Sequence, residues 1–356
     1  MRWLNFNGIN ARGFFNLFAK QPNRTFATQL AAGNGGVLMA GFFLEPTTES
    51  KTATRFSTLF EALAAVVKDN LVSSNQAEMA CAYFLGGRFI AFDFDGNCYE
   101  STNGVDFTAG INPNGDFPGG PYQLALDDTN NTIVFSGSND STSVYVSDNV
   151  TPLNFSTAVE VDAGNIGAIA NRPGSGVLLL LGGGRNGGTN TNVWRSTDGG
   201  MTWALVGLQP FVNCGEFLGY GTTQWIAQGS TSSSNVQFSL STDDGATWTA
   251  ATNFPGPNNG AVSAAQATDG AGNWVAIGDS DPPDNYWVSS DDGTTWTSPN
   301  LFDASKQDGS VQGLLVWDGH KWCACWNNPD DSALFVSVST DGGATWDVGP
   351  TIIDQP

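Results

Sequence analysis

Short runs of apolar residues, many of them alternating with polar ones, follow one another along most of the chain. Residues 79–85 and 88–93 form one such pair of runs, and residues 123–127 and 132–136 form another. A period of two predicts β-strands, and the Gly and Asn residues between the members of a pair predict hairpins. The pattern therefore predicts an all-β protein built from antiparallel strands.

The N-terminal third is less regular. Residues 26–32 and 36–43 predict two strands, followed by a loop rich in Thr, Ser and Glu. Residues 58–69 combine a helix capping box with apolar residues at helical spacing, so they predict a helix. The same stretch also fits an eroded copy of the repeat described next, because Ser57 stands about one repeat length before Ser101.

A motif of the form Ser-x-Asp-x-Gly-x-x-Trp recurs about every 45 to 50 residues. Full copies occupy residues 196–203, 241–248, 289–296 and 339–346, and eroded copies begin at Ser101 and Ser147. Each copy follows the same order of elements, namely a strand, a short turn, a second strand, a variable loop and a third strand that ends in the motif. A short fourth strand comes after the Trp.

Units of four strands cannot bury both faces of their own sheet, so neighbouring units must cover them. Seven repeat positions, counted from Ser57 to Ser339, predict a seven-bladed β-propeller of four-stranded antiparallel blades, in which ring closure removes exposed sheet edges. Six blades plus an N-terminal extension is the alternative. Residues 25–356 are then a single propeller domain, and residues 1–24 form a separate docking or closure segment.

The chemistry of the motif predicts a structural role. Asp and Ser side chains bond backbone N–H groups a few residues on, Gly supplies a positive φ, and the Trp ring buries itself between adjacent sheets with its N–H on a carbonyl. Near-identical carboxylates in separate repeats do not converge on one catalytic centre. The structural residues predicted in this way are Ser196, Asp198, Gly200, Trp203, Ser241, Asp243, Gly245, Trp248, Ser289, Asp291, Gly293, Trp296, Ser339, Asp341, Gly343 and Trp346.

These motifs resemble the Asp-box, or bacterial neuraminidase repeat, of β-propellers such as sialidases, two-domain xyloglucanases, sortilin-type receptors and photosystem assembly factors. The resemblance implies a loop between the third and fourth strands of a blade, away from the central pocket. It does not imply sialidase activity, because sialidases need three arginines from separate blades and this chain has no Arg after Arg195. Catalytic residues and cofactors are therefore not predicted.

The net negative charge of the chain limits the classes of partner that it can bind. The formal net charge is −21, from 34 acidic and 13 basic residues, and such a field repels nucleic acids and anionic lipids. No apolar run approaches the roughly 18 residues of a membrane span, and the start lacks the apolar stretch of a secretory signal. Five scattered cysteines and one histidine indicate neither a disulfide framework nor a zinc module.

The first 24 residues differ from the rest of the chain. They are apolar and basic in an otherwise acidic protein, which predicts either a strand that closes the ring or a segment that docks onto a partner. The docking residues predicted in this segment are Trp3, Phe6, Arg12, Phe14 and Phe15.

Two ligand sites deserve a test. Asp93, Asp95 and Asn97 alternate oxygen ligands beside a Gly and form a weak calcium candidate, although they lack the distal Glu of an EF-hand and also fit a solvated turn. The central channel of a propeller is a common binding site. Its candidate lining residues, on the innermost predicted strands, are Gln29, Tyr83, Gln123, Tyr220, Gln266 and Trp317.

Few charges, many Gly, Asn, Ser and Thr residues, eroded motifs and a distinct N-terminal segment together resemble Asp-box propellers encoded by bacteriophages. The resemblance implies a non-enzymatic virion component, such as a tail, fibre or capsid-decoration protein, that contacts other virion proteins or a host-surface glycan. The alternative is an extracellular propeller, secreted or on a cell surface, that binds or hydrolyses glycans.

Overall fold

The computed structural model describes residues 26–33, 36–44, 49–56, 79–93, 97–102, 107–111, 123–136, 142–162, 166–183, 190–209, 213–232, 235–251, 263–278, 286–297, 312–317, 320–328 and 333–348. Within these ranges, no helix is long and apolar enough to cross a membrane.

The described strands form antiparallel sheets that succeed one another along the chain. The first sheet has three strands, β1 (Phe26–Gly33), β2 (Gly36–Leu44) and β3 (Glu49–Phe56). The second sheet consists of β4 (Met79–Leu85), β5 (Arg88–Asp93), β6 (Cys98–Ser101) and β7 (Thr108–Ala109). The third consists of β8 (Leu124–Asp127), β9 (Thr132–Ser136), β10 (Ser143–Asp148) and β11 (Thr157–Glu160).

The later sheets repeat the order of the second and third. The fourth sheet consists of β12 (Ile166–Arg172), β13 (Val177–Gly182), β14 (Asn192–Ser196) and β15 (Ala204–Leu208), and the fifth of β16 (Asn213–Tyr220), β17 (Trp225–Ser232), β18 (Asn235–Ser241) and β19 (Thr249–Ala250). The sixth has β20 (Ser263–Thr268), β21 (Trp274–Gly278) and β22 (Tyr286–Ser289). The seventh has β23 (Gln312–Trp317), β24 (Trp322–Asn328), β25 (Ala333–Ser339) and β26 (Asp347–Val348).

The sheets form a closed ring with their first strands innermost. Strand β1 contacts both β4 and β23, β12 contacts β8 and β16, and β20 contacts β23. The fifth and sixth sheets share a core cluster that includes Ile226 and Trp274. Because β1 touches the first strand of the last sheet, the ring is closed, and the architecture is that of a β-propeller with antiparallel blades.

The repeats define six blades, from the second sheet to the seventh. Five of these sheets have four described strands, and in the sixth a bridge between Val288 and Thr297 follows the third strand. The three-stranded first sheet lies in the ring between the last blade and the first. The predicted alternative, six blades plus an N-terminal extension, therefore describes the molecule better than seven four-stranded blades, with the extension itself a sheet.

The hydrophobic core lies between neighbouring sheets. One buried cluster joins Val134 and Val146 of the third sheet to Leu178, Leu180 and Trp194 of the fourth. A second cluster joins the fourth sheet to the fifth. Similar clusters join the second sheet to the third and the fifth to the sixth, so the third, fourth and fifth sheets each bury both faces against their neighbours, as the repeat length predicted.

Most predicted strands are confirmed, but the structure also contains one strand that the sequence pattern did not predict. Residues 49–56 were assigned to a polar loop, but they form β3 along the whole length of β2. Their composition is polar because the strand lies at the edge of its sheet, where apolar alternation is not required. The predicted helix at 58–69 lies outside the described residues.

The strand order separates two ends of the ring. In each blade the first and third strands run in the same direction, so the turn after the first strand and the motif after the third strand lie at the same end. The connections between second and third strands, and those between blades, lie at the opposite end. We call these the motif end and the connection end.

Candidate functional site

The repeated loop is a closed hydrogen-bonded unit, and residues 289–296 illustrate it. The buried Ser289 hydroxyl donates to Asp291 Oδ1 at 2.8 Å and accepts the Gly293 N–H at 2.9 Å. The Asp291 carboxylate also accepts the Thr295 N–H at 2.8 Å and the Thr295 hydroxyl at 2.6 Å. The indole N–H of Trp296 donates to the Gly293 carbonyl at 2.8 Å. The recurring Ser, Asp, Thr and Trp side chains therefore bond within their own loop.

The other three full copies repeat this geometry. Their Ser, Asp and Trp side chains make the same contacts at 2.5 to 3.1 Å. The threonine before each Trp was not predicted as part of the motif, although it recurs in every full copy. These threonines, which give each aspartate two of its hydrogen bonds, are Thr202, Thr247, Thr295 and Thr345.

Hydrogen bonding lowers the pKa of all four motif aspartates below 3.8. At Asp291 burial raises the pKa, but the bonds from Thr295 and Ser289 together outweigh it. At Asp243 the largest cause is the Thr247 hydroxyl, which lowers the pKa. These carboxylates are therefore ionised at neutral pH and are unsuited to donate a proton in catalysis.

We expect these aspartates to contribute to acid sensitivity. A carboxylate whose pKa is lower in the folded state stabilises the fold above its unfolded pKa, and this contribution is lost as the pH falls through the folded pKa. Unfolding of an Asp291→Asn variant should therefore depend less steeply on pH below about 4 than that of the wild type. Urea denaturation across this pH range measures the slope, with the exposed Asp347→Asn as control. An unchanged slope for Asp291→Asn contradicts the assignment.

The tryptophans of the motif are not equally buried, which corrects the prediction that each is a core residue. Trp296 is 2% exposed and stacks on Phe238 at 4.9 Å between ring centroids. Trp203, Trp248 and Trp346 are only half-buried. Trp203 and Trp248 pack at the border of the clusters that join their sheet to the preceding one.

The motif needs glycine at this position because the backbone has a positive φ and because there is no room for a side chain. Gly200 has a φ of 88°, which favours glycine. A Cβ added there would lie 2.7 Å from a methyl carbon of Val134 in the preceding sheet. The loop therefore packs directly on the neighbouring blade, and the motif positions one blade against the next.

The residue before the motif glycine strengthens this contact in the sixth sheet. Asp292, with a φ of 59° and 8% exposure, accepts the backbone N–H groups of Thr222 at 3.0 Å and Thr223 at 2.7 Å, both from the fifth sheet. It also accepts the Thr223 hydroxyl at 2.9 Å and the Trp274 indole N–H at 3.2 Å. One carboxylate thus joins the turn of one blade to the core of the next.

Two other interfaces between neighbouring sheets are held together by ion pairs with arginine. Asp244 forms an ion pair with Arg172 of the fourth sheet at 2.7 Å and accepts the Trp225 indole N–H at 3.1 Å. Between the second and third sheets, the buried Arg88 pairs with Glu100 at 2.5 Å and donates to the Thr151 hydroxyl at 2.8 Å. Sequence reasoning missed these contacts, because the partners are far apart along the chain.

Only part of the predicted calcium candidate lies within the described residues. Asp93 ends β5 and Asn97 is exposed, whereas Asp95 lies outside the described residues. The part of the chain that the structure describes contains no cluster of three or more His, Cys, Asp or Glu residues suited to a metal. All five predicted docking residues, Trp3, Phe6, Arg12, Phe14 and Phe15, also lie outside the described residues.

The predicted channel residues divide into aromatic residues that pack between blades and glutamines on or next to the innermost strands. Tyr83 and Tyr220 pack against core clusters between blades, and Trp317 contacts Trp322 at 5.1 Å between ring centroids, so these aromatics serve packing. Gln123 donates to the Leu218 carbonyl of β16 at 2.9 Å, which links the third sheet to the fifth. Gln266 is buried in β20, and Gln29 belongs to β1.

Similarity to known proteins is confined to the fold. No protein-family model matches the chain, and no curated protein matches its sequence. It is similar to the structure of YCF48 from Cyanidioschyzon merolae, with a TM-score of 0.54 and 13% identity over 86% of this chain and 94% of that chain. It is also similar to a structure of YCF48 bound to D1 peptide, with a TM-score of 0.57 and 11% identity over 86% and 91% of the two chains.

A third similar structure is that of the RRP9 WD40 repeats, with a TM-score of 0.54 and 7% identity over 78% of this chain and 82% of that chain. At such low identities the likeness shows the fold alone. It agrees with the ring of antiparallel sheets described above. The chain is therefore a β-propeller, and its function must be inferred from its own residues.

Proposed function

We propose that this protein is a non-enzymatic propeller that binds other polypeptides as a component of a bacteriophage particle, in a tail, fibre or capsid-decoration role. The observation that carries the proposal is the self-contained motif, whose serine, aspartate, threonine and tryptophan side chains bond within the loop. These are the contacts expected of an Asp-box, the repeat that the sequence resembles. The recurring polar residues therefore serve the scaffold.

The two ends of the ring support a scaffold that presents binding surfaces. The motif end is built from short turns and repeated loops, whereas the sequence between the fourth strand of one blade and the first strand of the next differs in length, being longer between β7 and β8 than between β11 and β12. Surfaces that vary on a constant scaffold are typical of recognition. One similar propeller, YCF48, has been solved bound to D1 peptide, which gives a precedent for polypeptide binding by this fold.

The test is the protein content of particles released by the bacteriophage whose genome encodes this chain. We expect mass spectrometry to find the chain in stoichiometric amounts in purified particles. Deletion of residues 1–24 should abolish incorporation, because the apolar, basic segment is the proposed docking arm. The circular dichroism spectrum of the truncated chain controls for loss of fold.

Absence of the chain from the particles contradicts the virion role. Normal incorporation of the truncated chain contradicts the docking arm alone. Specific binding on a glycan array, together with absence from particles, favours the extracellular glycan-binding alternative.

A further inference from the structure

Strand β15 carries an exposed apolar surface that the fold does not use. Among the described residues, five large apolar side chains are prominently exposed, and three of them lie within eight residues of one another. These are Met201 at 48%, Leu205 at 59% and Leu208 at 61%. Two other fourth strands have small or polar exposed residues instead, namely Thr108 and Ala109 in β7, and Thr249 and Ala250 in β19.

The two leucines face the same way. A register shift between Val193 and Trp194 places Leu205 opposite Trp194 and Leu208 opposite Asn192. Residues two apart on β14 point to the same face of the sheet, so both leucines share the face of Trp194. Without the bulge, an odd spacing would have put them on opposite faces. The irregularity therefore creates a continuous apolar surface.

This face is directed toward the third sheet. The Trp194 ring packs in the cluster shared with Val134 and Val146, and the Asn192 amide donates to Asp162 at 3.1 Å. The half-buried Val159, Val161 and Trp203 border the same cluster. Leu205 and Leu208 thus lie at the outer rim of the interface between the third and fourth sheets, which we call the β15 surface.

The opposite face of β15 is already covered. A Cβ added at Gly207 would approach the backbone carbonyl oxygens of Gly245 and Ala246, in the motif of the fifth sheet. One side of the strand is therefore closed by the next blade, and the leucine side remains available. An exposed apolar surface of this kind marks a site of protein association.

The charges around the β15 surface indicate which segment binds there. Between Arg88 and Arg172 the chain has no basic residue, and the half-buried Asp162, whose carboxylate accepts the Asn192 amide, borders the β15 surface. The first 24 residues have the complementary chemistry, because they contain Arg2, Arg12, Lys20 and Arg24 beside seven Trp, Leu and Phe residues. All 34 acidic residues of the chain lie after this segment. An apolar, basic segment matches an apolar surface with an acidic border.

We propose that residues 1–24 of a second copy dock on the β15 surface. Strand β1, which follows this segment, is innermost in the ring, whereas the β15 surface lies at the outer rim two or more blades away. The segment of a neighbouring molecule reaches this rim from outside, whereas the segment of the same molecule would have to cross its own ring. Such a contact joins two different surfaces and propagates from copy to copy. The inference rests on the proposed role in a particle and names this chain as the partner of its own docking segment.

The experiment is sedimentation velocity of the purified full chain over a range of concentrations. Wild type is expected to associate as concentration rises. A Leu205→Thr/Leu208→Thr variant should associate about tenfold to a hundredfold more weakly, because two apolar anchors are lost. Both leucines are exposed, so the variant should melt like wild type. The matched control is Val150→Thr, which removes a 54% exposed valine elsewhere and should leave association unchanged.

A synthetic peptide of residues 1–24 identifies the occupant. In excess it should dissociate the wild-type assembly, and an Asp162→Asn variant should show weaker, less salt-dependent association. A chain that stays monomeric at every concentration overturns the proposal and favours docking of the segment on its own ring or on another protein. Association that survives the double variant, or that resists the peptide, also overturns it. These measurements need no particles, so their failure is distinct from failure of the virion role.

Discussion

Replacement of Trp296 by alanine is expected to destabilise the protein by about 3 to 5 kcal/mol. The ring is 2% exposed and lies in the cluster that joins the fifth and sixth sheets. Its loss leaves a cavity against Phe238 and Ile226, and the Gly293 carbonyl loses its hydrogen-bond donor. The same substitution at the half-buried Trp203 or Trp346 should cost less, about 1 to 3 kcal/mol, because less apolar surface leaves the core.

Chemical denaturation of the three variants measures this order. A Trp296→Phe variant serves as control, since it keeps an aromatic ring in the cluster but loses the second fused ring and the indole N–H. It should fall between wild type and Trp296→Ala. Equal losses for Trp296→Ala and Trp203→Ala would show that burial of the ring does not decide its contribution, and the packing account would then be wrong.

Removal of the Asp292 carboxylate is expected to cost about 2 to 4 kcal/mol, because buried partners of a charged acceptor lose their hydrogen bonds. The informative variant is Asp292→Gly, since Gly342 occupies the equivalent position of the last motif with a φ of 76°. Glycine keeps the left-handed backbone at this position, so the variant isolates the side chain. The indole N–H of Trp274 and the N–H groups of Thr222 and Thr223 lose their common acceptor.

Asp244→Gly is the matched comparison. The Asp244 carboxylate is more exposed and pairs with Arg172, whose side chain is 32% exposed, so solvent replaces part of that interaction. We expect a smaller loss, about 1 kcal/mol. Hydrogen exchange should also show faster opening of the turn around Thr222 in the Asp292 variant. Wild-type stability in Asp292→Gly contradicts a role of this carboxylate in joining the blades.

The repeated motif shows how far local sequence determines structure. Ser, Asp, Gly and Trp at constant spacing predicted a tight loop with side chains bonded to backbone N–H groups, and the structure confirms those bonds. The prediction succeeded because the partners lie within eight residues of one another. The strands were predictable for a similar reason, since alternation is a local property.

Contacts between blades could not be predicted in the same way. Asp292 meets Thr222, and Arg88 meets Thr151, across large separations in the chain, and no local pattern pairs them. Strand β3 was missed because pairing with β2 stabilises a polar sequence. The β15 surface depends on a register shift that places Leu205 and Leu208 on one face.

The sequence by itself determined the repeat, the all-β class and the loop that closes each unit, because these depend on side chains that are neighbours in the chain. Only the tertiary structure decided which sheet closes the ring, how deeply each motif tryptophan is buried and which apolar residues remain exposed. Those features depend on the distance and angle between successive blades, which arise when the sheets pack together.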